Sequence, residues 1–107
     1  MPSTDLVLIY VTIPDVSAAE RMAKAIVELR LAACANILPG MRSIYWWNDT
    51  LEEADEVVLL FKTRADLAAQ LTDAVLAMHP YETPCVVQLP IIGGSADFLD
   101  WIRRETS

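Results

Sequence analysis

Only three glycines occur in the 107 residues, at positions 40, 93 and 94. No P-loop or dinucleotide fingerprint can be written with them, so phosphate cradles built from close-packed backbone amides are excluded. Histidine occurs once, at His79, and cysteine twice, at Cys34 and Cys85. One chain therefore lacks the four nitrogen and sulfur ligands of a structural zinc site. The cysteines form neither a CxxC pair nor a dense framework, which argues against a disulfide scaffold. Basic residues are also few: 8 Lys and Arg against 15 Asp and Glu give a net charge of -7. With no basic run longer than Arg103-Arg104, the counterion release that drives nucleic-acid binding is missing, and no nucleic acid is expected as a partner. The first apolar run, Leu6 to Val11, is too short to span a membrane and follows no basic segment, so no membrane partner and a cytoplasmic location are expected. Neither GxSxG nor HExxH is present, and the chain is too small for a cofactor fold. The chain is expected not to be an enzyme and to carry no organic cofactor.

Hydrophobic residues are plentiful, at 54% of the chain against 21% charged. That balance describes one packed domain over residues 1–107. It also leaves few charges to cover a small domain's large relative surface, so apolar area is expected to be buried against other subunits.

The β-branched run Leu6–Ile13 reads as a central strand buried on both faces. Ser17 and Glu20 form a capping-box pattern for a helix ending near Arg30, with Ala19, Met22, Ala23 and Ile26 on its apolar stripe. Residues 33–47 read as a long strand interrupted at Pro39-Gly40, turning at Asn48-Asp49-Thr50 into a buried strand over Val57–Phe61. Asp66 to His79 reads as a second amphipathic helix, with Leu67, Leu71, Ala74, Val75 and Met78 inside and Pro80 ending it. Cys85–Leu89, flanked by prolines, suits an edge strand, and Ser95 caps a last helix carrying Phe98, Leu99 and Ile102.

This order is β-α-β-β-α-β plus a C-terminal helix. It specifies an α+β, ferredoxin-like split β-α-β fold, an antiparallel sheet with helices on one face. The second and fourth strands are then edges. A long edge carrying Ile44, Tyr45, Trp46 and Trp47 would aggregate if left bare, so these four are candidate oligomer-interface residues. Ligand stacking is the other reading of the aromatic ones.

The most unusual stretch is His79-Pro80-Tyr81-Glu82-Thr83-Pro84, a stiff turn at a helix end. Two readings stay open: His79 serves the last helix carbonyls, or His79 and Glu82 face a cleft. Lys62 is either a snorkelling side chain or a cation facing a bound anion. Cys34, where the first helix hands over to the long strand, is either an inert buried thiol or a soft-metal ligand.

Taken together, Leu31-Ala-Ala-Cys-Ala-Asn-Ile-Leu-Pro-Gly40, Ser43-Ile-Tyr45 with Trp47, Leu60-Phe-Lys-Thr63, His79 to Pro84 and Leu89-Pro-Ile91 resemble the CutA divalent-cation-tolerance family. The resemblance runs from about Val7 to Trp101. It implies a ferredoxin-like protomer in a homotrimer built like the PII signalling proteins, and a role in tolerance of copper and other divalent cations. By position, Cys34 and His79 match the family residues discussed as copper ligands. Val11 departs from a further cysteine found in some bacterial members, and Asp49 from the glycine usual after the hairpin tryptophan. The expected metal set is His79, Cys34 and Glu82, binding Cu²⁺ or another divalent cation weakly. The alternative is a PII-like signalling trimer whose intersubunit clefts, lined by Tyr45, Lys62, His79, Tyr81 and Glu82, hold a small anionic or zwitterionic ligand.

Overall fold

The computed structural model describes residues 4–107. Its elements are β1 (Leu6–Ile13), α1 (Val16–Glu28), β2 (Cys34–Trp47), β3 (Thr50–Arg64), a 3₁₀ turn over Ala65–Leu67, α2 (Ala68–Met78), β4 (Val86–Pro90) and α3 (Ala96–Glu105). All pairings are antiparallel and the sheet order is β2-β3-β1-β4, the expected ferredoxin-like arrangement with β2 and β4 as edges. Strand alternation divides the core. Val7, Ile9, Val11, Val57, Leu59 and Phe61 pack against Ala19, Met22 and Ile26 of α1 and Leu71 and Val75 of α2. On the other face α3 covers one corner, where Ile102 meets Leu6 and Ala33. No helix among the described residues is long and apolar enough to cross a membrane.

Several boundaries differ from the sequence reading. Asp15, not Ser17, caps α1: its carboxylate accepts from the Ala18 amide at 2.8 Å, while the Ser17 hydroxyl accepts from the Arg21 guanidinium. The helix ends in a Schellman turn, with Arg30 at φ 61° and the Leu31 amide donating to the Ile26 carbonyl. In α2 the buried residues are Ala68, Leu71 and Val75 at helical spacing, and Met78, expected inside, is exposed at the last position of the helix. Ser95 occupies the cap position of α3 without a side-chain bond. The acidic stretch Glu52–Glu56 belongs to β3, which starts at Thr50 rather than Val57.

The hairpin formed by β2 and β3 sets the 44 Å long axis of the molecule. Pairing runs in register from Cys34↔Lys62 to Leu38↔Val58, then resumes at Met41↔Glu56. Pro39 and Gly40 thus oppose the single residue Val57, a β-bulge with Gly40 at φ 82°. One extra residue reverses the side-chain parity of β2. Before the bulge Cys34, Asn36 and Leu38 share the face of Lys62 and Val58; beyond it Met41, Ser43, Tyr45 and Trp47 take that face. Ile44 and Trp46 are turned to the opposite side, where they lie 65% and 72% exposed beside Leu51.

Asn48 and Asp49 close the hairpin, both at positive φ (50° and 61°), the geometry of a type I′ turn. Glycine suits the second position better because it has no Cβ to strain. Asp49→Gly is expected to stabilise the protein by about 0.5–1 kcal/mol. Urea unfolding at fixed protein concentration checks this, and a lowered midpoint would contradict the turn assignment.

Candidate functional site

Beyond the bulge, the sheet face opposite α1 and α2, which α3 covers only at its far corner, forms the floor of a cleft of about 850 Å³. Tyr10 and Thr12 of β1, Glu56 of β3, and Met41, Ser43, Tyr45 and Trp47 of β2 arrive there by strand alternation. Residues 80–85 close the remaining side, contributing Tyr81, Glu82 and Cys85.

His79 anchors that closing segment. It is 9% exposed, and its Nε2 lies 2.7 Å from the Thr12 carbonyl oxygen. The Tyr81 amide donates to Nδ1 at 3.1 Å. Since Nδ1 accepts, the ring proton sits on Nε2 and is donated to Thr12. Both nitrogens are thereby engaged in holding the 80–84 segment to the end of β1. The imidazole also packs against the Tyr81 ring, centroids 4.8 Å apart.

Glu56 is only 7% exposed, and one of its oxygens accepts from the Tyr81 hydroxyl at 3.0 Å. It has no ion-pair partner among the described residues. The nearest basic residue in the cleft's lining, Arg42, is directed by strand alternation to the other face, where it pairs with Glu53 and Asp55. The other Glu56 oxygen accepts no hydrogen bond among the described residues, and Glu56 lines the cleft. In the same surroundings the Tyr81 phenol is pushed up to about 12, first by burial and then by its bond to Glu56.

The candidate residues read from the sequence are therefore only partly brought together. Tyr45, Tyr81 and Glu82 line the cleft, with His79 behind them as its anchor. Lys62 does not line it. It lies six residues along β3 from Glu56, about 20 Å at strand spacing, hydrogen-bonded to Asn36 and 5.9 Å from the Phe98 ring centre. Cys34 pairs opposite Lys62 at the same far end. Burial pushes its thiol up, with the Lys62 charge acting in the other direction. Cys34 and His79 cannot share one ion within a chain, because β1 separates their levels by about four residues, or about 13 Å. No three His, Cys, Asp or Glu side chains gather in a metal-holding group among the described residues. Glu56 was not anticipated from the sequence, whereas Trp47, read as an interface or stacking aromatic, and Cys85, read as an inert thiol or soft-metal ligand, also reach the cleft. The one readable signal was the bulge, since Pro39-Gly40 within an apolar strand marks a shift of parity.

The family model described as CutA1 divalent ion tolerance protein matches residues 7–105. The divalent-cation tolerance protein CutA of Archaeoglobus fulgidus is 47% identical over 94 residues, 88% of this chain and 91% of that protein. Its counterpart in Thermus thermophilus is 44% identical over 92% of this chain and 96% of its own length. The chain spans only about half, 56%, of the rice protein named CutA 1, chloroplastic, at 42% identity over 94% of this chain. Among solved structures, rice CutA1 superposes with a TM-score of 0.93 at 40% identity, covering 98% of this chain and 96% of that one. The Archaeoglobus fulgidus structure, described as periplasmic, gives 0.92 at 43% identity, covering 95% and 99%.

Alkaline titration tests the coupling of Tyr81 to Glu56. The folded phenol's value lies above the ordinary ~10, so its contribution to stability is present below pH 10 and is lost as pH rises toward 12. One of the three tyrosines should ionise late by ultraviolet difference spectroscopy, and the late phase should vanish in Tyr81→Phe. Persistence of that phase would place the late group elsewhere.

Proposed function

Because the chain belongs to the CutA1 divalent ion tolerance protein family, we propose that it serves cation tolerance as a homotrimer binding a divalent cation weakly in the cleft at Glu56. The observation that carries this reading is the buried Glu56 carboxylate, which has one tyrosine bond and no cationic partner among the described residues. A cation entering the cleft supplies the missing charge. Glu82 adds a second carboxylate, and the lining also carries two sulfur atoms, Met41 on the β2 side and Cys85 on the β4 side. Two carboxylates leave most coordination positions to water or to a neighbouring chain, which favours exchangeable binding. His79 acts from behind by fixing the segment that carries Tyr81 and Glu82.

The trimeric state is supported by the two bare edges. β2 and β4 can pair head to tail between chains, and the family resemblance supplies the number three. The sheet face opposite α1 and α2 supports it as well: Leu38, Val87 and Leu89 lie exposed there beside half-buried Leu8, Tyr10 and Leu60. Of the four proposed interface residues, Ile44 and Trp46 point away from the cleft, and Tyr45 and Trp47 into it. The relatives' names include a chloroplastic and a periplasmic protein, so the family name carries no compartment; a cytoplasmic location rests on the sequence alone.

The anionic-ligand alternative places Lys62 in a cleft between subunits, and within one chain Lys62 lies outside the cleft that holds Tyr45, Tyr81 and Glu82. Calorimetric titration with Cu²⁺ and Zn²⁺ tests the cation reading. Tyr81→Phe, which removes the group orienting the carboxylate, should weaken binding by about 10- to 100-fold, and Glu56→Gln by at least as much. Cys34→Ser should leave it unchanged, whereas loss of binding in Cys34→Ser alone would move the site to the far end of the sheet. In the same preparations, sedimentation equilibrium at micromolar concentration should give three times the 11.9 kDa chain mass.

A further inference from the structure

Glu56 presents its two oxygens differently. Oε2 accepts the hydrogen bond of the Tyr81 hydroxyl at 3.0 Å. Oε1 accepts none among the described residues and, although Glu56 is only 7% exposed, it retains surface toward the cleft. The asymmetry is fixed from the backbone. The Tyr81 amide donates to His79 Nδ1 at 3.1 Å, His79 Nε2 is bound to the Thr12 carbonyl at 2.7 Å, and the imidazole lies against the Tyr81 ring. Pro80 stands between the two residues and restricts the chain further. The approach of the phenol to Oε2 is therefore set before any ligand arrives.

A carboxylate with one oxygen held by a neutral donor and the other open is built as a one-oxygen ligand, since metal-ligating carboxylates are themselves hydrogen-bonded in this way. Chelation through both oxygens would make a cation share Oε2 with the phenol proton, which draws negative charge from that atom and takes the space beside it. The lining offers one other carboxylate, Glu82. Divalent cations respond differently to such a donor set. Ca²⁺ collects about six to eight oxygens and draws on carboxylates that give both of theirs, whereas Zn²⁺ is satisfied by about four donors.

We infer that Tyr81 determines which divalent cation the cleft accepts: by holding Oε2 it makes Glu56 a one-oxygen ligand, favouring ions of the Zn²⁺ and Cu²⁺ class over Ca²⁺. The inference rests on the cation reading proposed above and deepens it, because it assigns selectivity to a residue that touches the carboxylate and not the ion. The hydroxyl alone carries the effect. Tyr81→Phe keeps the ring against His79 and the amide bond to Nδ1, and it frees Oε2.

Calorimetric titration of the intact oligomer with Zn²⁺ and with Ca²⁺, together with infrared difference spectra of its carboxylate stretches, tests the inference. In the unmodified protein, Zn²⁺ should produce the wide splitting of antisymmetric and symmetric bands that one-oxygen coordination gives, and Glu56→Gln should abolish it. Tyr81→Phe should lower the ratio of Zn²⁺ to Ca²⁺ affinity by at least about tenfold, with Zn²⁺ weakened and Ca²⁺ not. Loss of a structural support would weaken both ions alike, so an unchanged ratio in Tyr81→Phe overturns the inference and leaves the cation reading standing. A narrow, two-oxygen splitting in the unmodified protein overturns it as well, without reliance on any variant. Zn²⁺ binding that is absent, or unaffected by Glu56→Gln, overturns the cation reading and the inference with it.

Discussion

The geometry of the cleft depends on one extra residue. Without the bulge at Pro39-Gly40, β2 would keep its parity, and Ile44 and Trp46 would face the cleft side in place of Tyr45 and Trp47. The bulge is tolerated because β2 is an edge strand: Pro39 cannot donate to a ladder, and Gly40 takes its positive φ without a Cβ in the way. The hairpin turn beyond it then only has to return the chain in register. Its two residues do so in the left-handed region, at some conformational cost.

From that arrangement follows a chain of contacts linking the helix layer to the cleft. His79 ends α2, donates to the Thr12 carbonyl and accepts from the Tyr81 amide. Tyr81 carries the link onward to Glu56. Each partner is fixed by the one before it, so a buried carboxylate is held in a defined position by neutral donors only. Fixed negative charge without a bound cation on the protein side is what a cation site requires before its ligand arrives. It also explains why this chain's single histidine sits behind the cleft: both of its nitrogens are occupied with positioning.

Much of the fold could be read from residue pattern. The run Leu6–Ile13 identified the central strand, the stripe Ala19, Met22, Ala23 and Ile26 identified the buried face of α1, and the prolines around residues 85–89 identified an edge. Boundaries were less legible where two chemically similar residues competed. Asp15 and Ser17 both cap helices well, and only backbone geometry decided between them. The acidic run Glu52–Glu56 looked too polar for a strand, yet a hairpin that projects from its domain is solvated on its outer side and carries charge there. The candidate site was legible as segments but not as a constellation. Lys62 and Glu56 share a strand and a face, and only the register shows that six residues of extended chain keep them apart. Glu56 itself gave no local signal, since its importance comes from burial under Tyr81, a contact across 25 positions of sequence.

The claim that the cleft at Glu56 is the cation site is tested most directly by anomalous diffraction from crystals of the protein grown with Cu²⁺. The account predicts an anomalous peak in the cleft beside the Glu56 carboxylate, with His79 still bonded to the Thr12 carbonyl and the Tyr81 amide. A peak bound to the His79 imidazole or to Cys34, with Glu56 uncontacted, would contradict it.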